Sequence, residues 1–159
     1  MRYLYLKNFK FTKILPLKLE NIKILSCKNC KNIILSENSG MKLEKLDLED
    51  NKISNIDILE NVKFKELKEL YLFNNKISDI KILEKLNIEK LEILNLGNNE
   101  IVNIDILEYL NLNVLKELNL YSNIISKIKI LEKVKFEKLK ILNLGYNKII
   151  KIDILEKAN

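Results

Sequence analysis

The chain has 159 residues, enough to bury one substantial core, and a hydrophobic share of 47% argues against wholesale disorder. Histidine is absent, which removes the commonest general base and the commonest zinc ligand together. The net charge of +6 belongs to one end: residues 1–42 carry nine Lys/Arg against two acids, Glu20 and Glu37, whereas residues 43–159 carry nineteen Lys against twenty acids.

At the N-terminus, an apolar stretch from Met1 is broken by Lys7, Lys10 and Lys13 and has no small-residue cleavage site. No uncharged apolar run approaches a membrane span. A cytoplasmic protein without membrane contact is the expectation, and export without a cleaved signal is compatible with it. From Tyr3 to Thr12, aromatic and polar residues alternate around Lys7-Asn8. That alternation predicts a hairpin or strand sealing the N-terminal end, within a cap over 1–18. With three glycines and one proline (Pro16) in the whole chain, a Gly/Pro-rich linker is not expected.

One period organises the rest of the chain. Leu43, Leu67, Leu91, Leu115 and Leu139 fall 24 residues apart, and Asn51, Asn75, Asn99, Asn123 and Asn147 keep the same interval. The segments LEKLDLEDNKI, LKELYLFNNKI, LEILNLGNNEI, LKELNLYSNII and LKILNLGYNKI each read L-x-x-L-x-L-x-x-N-x-I. Leu46 and Leu48 alternate with Lys45, Asp47 and Glu49, the period of a strand with one buried face. Ile56, Leu59 and Val62 then recur every third residue, which predicts a short helical or 3-10 turn on the opposite side. No such unit buries its apolar face alone; stacking on its copies does.

Extended one 24-residue step back, the pattern places Leu19, Ile22, Ile24 and Cys27 in a degraded copy over 19–42. There Asn29, Asn32 and Asn38 stand where Ile or Val is expected, and Gly40 replaces the bulky residue seen as Phe64, Ile88, Leu112 and Phe136. At the other end, Leu142 and Leu144 should be partly exposed, because Asn159 falls inside a return segment.

The pattern resembles that of the leucine-rich-repeat family, whose units run to about 20–29 residues. The match spans residues 43–159 without an insertion. The Ile-x-Ile-Leu-Glu return is most similar to the short repeats of phosphatase-regulatory subunits and internalin-type proteins. The resemblance implies an α/β fold: a right-handed solenoid with a concave parallel β-sheet and short helical or 3-10 segments on the convex side. It implies a single domain over 1–159, made of the cap, the degraded repeat and five 24-residue repeats, the last incomplete.

The asparagine column is read as structural, each amide satisfying backbone groups of its own and the neighbouring turn, with Cys27 in the same place in the first copy. Cys27 and Cys30 form a lone C-x-x-C with neither a second pair nor a histidine, so no metal and no cofactor are expected. No phosphate-cradling loop or nucleophile elbow is present, and the chain is not expected to be an enzyme.

A partner would bind on the concave face, where side chains stand out from a rigid sheet. Counted from each repeat's first leucine, the third position gives Lys45, Glu69, Ile93, Glu117 and Ile141, and the fifth gives Asp47, Tyr71, Asn95, Asn119 and Asn143. The seventh gives Glu49, Phe73, Gly97, Tyr121 and Gly145, and the eighth gives Asp50, Asn74, Asn98, Ser122 and Tyr146. Interface anchors are rich in aromatics, so Tyr71, Phe73, Tyr121 and Tyr146 are the expected anchors, with Asp47, Glu49 and Asp50 as an electrostatic selector. A rival explanation is inheritance. Glu69/Glu117, Ile93/Ile141, Phe73/Tyr121 and Gly97/Gly145 repeat every 48 residues, as a copied two-repeat unit would, with each ring covering the glycine of the next strand.

The expected function is protein–protein interaction through this face. Two alternatives stand beside it. The basic N-terminal quarter could hold nucleic acid or another acidic surface, although its lysines are thinly spread and read better as a solvated cap. Or the chain could be a structural module that self-associates through its uncapped C-terminal end.

Overall fold

The computed structural model describes residues 2–10, 21–31, 35, 42–60 and 62–151. Seven strands form one sheet: β1 (Tyr3–Lys7), β2 (Ile24–Lys28), β3 (Lys45–Asp47), β4 (Glu69–Tyr71), β5 (Ile93–Asn95), β6 (Glu117–Asn119) and β7 (Ile141–Asn143). They lie in chain order, each parallel to the next. The chain returns through 3-10 turns at Asp57–Leu59, Lys81–Lys85, Asp105–Tyr109 and Lys129–Glu132. Each return segment is bulkier than the strand it serves, and strands sit about 4.8 Å apart, so the stack curves with the sheet inside. Among the described residues, no helix is long and apolar enough to cross a membrane.

The leucine columns make the core. Leu46, Leu70, Leu94 and Leu118 of successive strands are fully buried, as are Leu48, Leu72, Leu96 and Leu120. The return side answers with Leu59, Leu83 and Leu107 and with Phe64, Ile88 and Leu112, which close the wedge between sheet and turns.

The asparagine column does the backbone work expected of it. Asn99 Nδ2 donates to the carbonyls of Leu72 (2.9 Å), Leu96 (3.0 Å) and Gly97 (3.1 Å), while its Oδ1 accepts from the Ile77 N–H at 3.0 Å. Asn51, Asn75, Asn123 and Asn147 repeat the arrangement. Each amide ties its own turn to the preceding repeat, so the column is structural.

The first repeats depart from the expected register. Leu25 pairs with Leu46 and Leu4 with Leu25, a step of 21 residues and not 24. Ile22 therefore takes the place of Leu43, Leu25 that of Leu46 and Cys27 that of Leu48. The expected alignment of Ile22, Ile24 and Cys27 with Leu46, Leu48 and Asn51 is corrected accordingly. Cys30, not Cys27, occupies the asparagine position, where its N–H donates to Asn51 Oδ1 at 2.7 Å and its thiol to the Lys28 carbonyl at 3.4 Å. Of the hairpin-or-strand expectation, the strand forms: β1 joins the same parallel ladder, through which Asn8 N–H also bonds the Lys28 carbonyl. Leu19, Asn32, Asn38 and Gly40 lie outside the described residues.

Both cysteines are buried and free. Burial pushes the Cys27 thiol up to about 12, helped by the nearby Cys30 and the Asp47 carboxylate.

Candidate functional site

The open face of the sheet carries four columns, and the corrected register lengthens each by two residues. Tyr3 and Ile24 lead to Lys45; Tyr5 and Ser26 lead to Asp47. Lys7 and Lys28, then Asn8 and Asn29, continue into the columns of Glu49 and Asp50. The sequence reasoning missed these eight residues. The signal was present, since LYLKN (4–8) and LSCKN (25–29) repeat at 21 residues, but a search at 24 passes over it.

The 21-residue step sets Lys28 beside the acidic group. Lys28 Nζ lies 2.6 Å from Glu49 Oε2 and 3.3 Å from Asp47 Oδ2. Asp47 also accepts from Ser26 Oγ at 3.1 Å and from the Glu49 N–H at 3.1 Å, and is only 6% exposed. The Glu49 hydrogen bond raises the Lys28 ammonium above its ordinary value. Asp50 accepts from Asn74 at 2.9 Å. The acids expected to select a partner by charge are thus neutralised or bonded within the sheet. Asp47 is a buried structural carboxylate.

Tyr71 is half-buried. Its hydroxyl donates to Glu69 at 3.1 Å, and Lys45 Nζ stands 4.2 Å above its ring while pairing with Glu69 at 2.8 Å. Burial raises the Tyr71 phenol, and the Glu69 carboxylate works in the same direction. Burial is the largest influence on Lys45 and acts to lower it, but the hydrogen bond it donates to Glu69 and the charges of Tyr71, Glu69 and Asp47 together outweigh it, and its shift is upward.

Phe73 leans over the next strand: a Cβ on Gly97 would sit 3.0 Å from its ring. Tyr121 does the same over Gly145, where the corresponding distance is 3.3 Å. Local packing therefore accounts for where these two rings lie, as the duplication explanation holds. It does not account for Tyr146, which is 80% exposed with its ring centroid 5.0 Å from that of Tyr121.

The amides of the fifth column turn their oxygens inward. Asn95, Asn119 and Asn143 Oδ1 accept from the N–H two residues on, at 3.2, 2.9 and 3.1 Å. Asn95 Nδ2 reaches Glu49 at 3.4 Å, while those of Asn119 and Asn143 have no acceptor among the described residues. Ile93 and Ile141 flank them, Ile141 being 53% exposed. Glu117 is the one charged side chain on this part of the face.

The eighth column holds the left-handed turn of every repeat, from Asn8 through Asn29, Asp50, Asn74, Asn98 and Ser122 to Tyr146. Asn and Asp tolerate that backbone, and they hydrogen-bond along the column: Asn29 to Asn8 at 2.7 Å, Asn98 to Asn74 at 2.6 Å. Tyr146, with φ of 56°, is bulky for such a position and ends the run of short polar side chains.

Among the described residues, no group of three or more His, Cys, Asp or Glu is placed to hold a metal ion.

A family model described as Leucine Rich repeats (2 copies) matches residues 42–85 and 65–109. Among solved structures, an internalin (inlF) from Listeria monocytogenes is similar over 98% of this chain and 44% of its own, at 26% identity and a TM-score of 0.77. A leucine-rich-repeat protein of Leptospira interrogans matches over 98% of this chain and 52% of its own, at 22% identity and a TM-score of 0.63. A plant peptide hormone receptor, solved in complex with RGF2, shares the fold over 92% of this chain and 28% of its own, at 19% identity and a TM-score of 0.59. This chain thus spans about half the length of these proteins or less. No curated protein matches it closely enough to count as a relative. With two family-model matches over residues 42–109 inside a seven-strand parallel ladder, this chain has the leucine-rich-repeat solenoid fold.

Proposed function

We infer that the chain is a non-catalytic protein-binding module whose partner docks on the concave face across β5–β7. Leucine-rich-repeat proteins commonly serve as interaction modules, and the plant receptor with its bound RGF2 is an instance on this fold. The observation that carries the choice of region is the Tyr121–Tyr146 ring pair, standing beside Ile141 and the unsatisfied amides of Asn119 and Asn143. Aromatic area that is already ordered binds at low entropic cost, and amide donors fix register. The strands before it offer less, because Lys28, Lys45, Asp47, Glu49 and Glu69 are already paired with one another. A cytoplasmic location belongs to the same proposal.

Photocrosslinking tests it. A benzophenone side chain in place of Ile141 should trap a protein that the same group in place of Glu69 does not. Equal adducts from both positions, or adducts from Glu69 alone, would move the site away from β5–β7.

A further inference from the structure

The repeats act as internal controls for one another, and one of them departs on its outer side. At the residue after the isoleucine of the turn, successive repeats carry Ser54, Ser78, Val102, Ser126 and Ile150. The second and third 3-10 turns end on Lys85 and Tyr109, and the sequence has Asn61 and Lys133 one 24-residue step to either side. The repeats on either side predict Ser and Lys for the third of these repeats, while the 48-residue period pairs Val102 with Ser54 and Ile150, and Tyr109 with Asn61 and Lys157. Neither predicts Tyr109, and only Ile150 shares the apolar character of Val102. These two apolar side chains are 54% and 68% exposed, and both line one open depression of about 530 Å³ between adjacent return segments, with Ile106 at its floor. Core packing therefore does not account for them.

The charge around this depression is opposite to that of the chain. Asp79, Glu84 and Asp105 line it against a single cation, Lys81, which stands 3.9 Å from Asp79. Lys85, the nearest other ammonium on this turn, is drawn to Glu60 at 2.6 Å. Glu84 has no ion-pair partner among the described residues, and the Asp105 carboxylate accepts only from Asn103 Nδ2, at 3.0 Å. A tyrosine ring beside unpaired carboxylates is the combination that receives an ammonium or guanidinium group, the ring face taking the cation and the acids its charge. Val102 and Ile106 add an apolar strip suited to an aliphatic side chain next to it.

We propose that the convex groove built by Val102, Ile106 and Tyr109, with Glu84 and Asp105 at its rim, is a second docking site that takes a basic, aliphatic peptide segment of a partner protein. It is independent of the concave face, so a partner could be held from both sides of the solenoid. The probe is an acetylated, amidated hexapeptide of alternating Lys and Leu, titrated into the 15N-labelled chain, with the Glu/Leu peptide as control. The Lys/Leu peptide should shift the amides of Glu84, Val102, Ile106 and Tyr109. The Val102→Ser/Tyr109→Lys double variant should weaken binding about tenfold while keeping its melting temperature, because the neighbouring repeats already carry those residues. Three results would overturn the proposal: equal shifts with the Glu/Leu peptide, unchanged affinity in the double variant, or a concentration-dependent dimer that the double variant dissolves. The last would make the occupant a second copy of this chain.

Discussion

The two halves of the concave face are built on the same leucine ladder and do opposite things with their side chains. Across β2–β4, Lys28 closes on Asp47 and Glu49, and Lys45, Glu69 and Tyr71 close on one another. Across β5–β7 the same columns hold amides, isoleucines, glycines, Ser122 and the Tyr121–Tyr146 pair, with Glu117 the one charge. A charged surface is not by itself a recognition surface. Where the charges have found their partners across the strands, the network stabilises the sheet and leaves little for a ligand; a face with a single charge and free amide donors is the better platform.

Asp47 is where that contrast has its largest consequence. Asp47→Ala leaves Ser26 and the Glu49 N–H without their acceptor and Lys28 with Glu49 alone, and should cost about 2–3 kcal/mol. Asn119→Ala, in the same column of the other half, loses one backbone cap and should cost about 1 kcal/mol. Urea denaturation measures both; similar losses would erase the distinction between the halves.

Cys27 lies beneath the charged half, and its folded-state value of about 12 stands above the ordinary 9.0. The neutral thiol is the form the fold holds, so its contribution is intact below pH 9 and is lost as pH climbs from 9 toward 12. Cys27 should add a slope of up to about 1.4 kcal/mol per pH unit in that window, and Cys27→Ala should be shallower by that amount while keeping the contributions of Tyr71, Lys28 and Lys45. Native protein should also resist iodoacetamide at pH 8, and rapid alkylation without unfolding would contradict the burial.

The duplicated glycines sharpen the comparison further. Gly97→Ala brings a methyl group 3.0 Å from the Phe73 ring and about as close to Asn119, and should cost about 1 kcal/mol. Gly145→Ala, with 3.3 Å to the Tyr121 ring, should stay within about 0.5 kcal/mol. Adding Phe73→Ala should relieve the first variant and leave the second unchanged, as thermal melts would read.

One small effect has the opposite sign. Tyr146→Asn restores the residue type that Asn74 and Asn98 carry in this left-handed turn, and should raise stability by about 0.5–1 kcal/mol. A loss of stability would mean that the ring packs better than its exposure indicates.

Much of this architecture was legible in the sequence, and the misses have physical causes. The 24-residue interval of leucines and asparagines placed the strands from Leu43 onward and identified the structural amides, because both are imposed by the stacking itself. The pairing of Phe73 with Gly97 was visible as a 48-residue echo. The burial of Asp47 was not, since it depends on Lys28, and Lys28 is brought alongside only by the 21-residue step of the first repeats. The left-handed turn at Tyr146 also escaped notice, because Asn and Asp fill most of that column without strain. Val102 and Tyr109 stood outside every concave column and emerged only once their exposure was known.

The central claim is that the β5–β7 half of the concave face, with its amides and aromatic pair, binds the partner. The direct measurement is the affinity of the crosslinked partner, once isolated, for three forms of the chain: unaltered, Tyr121→Ala/Tyr146→Asn, and Tyr71→Ala. The account predicts a loss of about a hundredfold in the first variant and less than about threefold in the second. Equal losses, or a greater one from Tyr71→Ala, would place the recognition surface on the charged half and contradict the account.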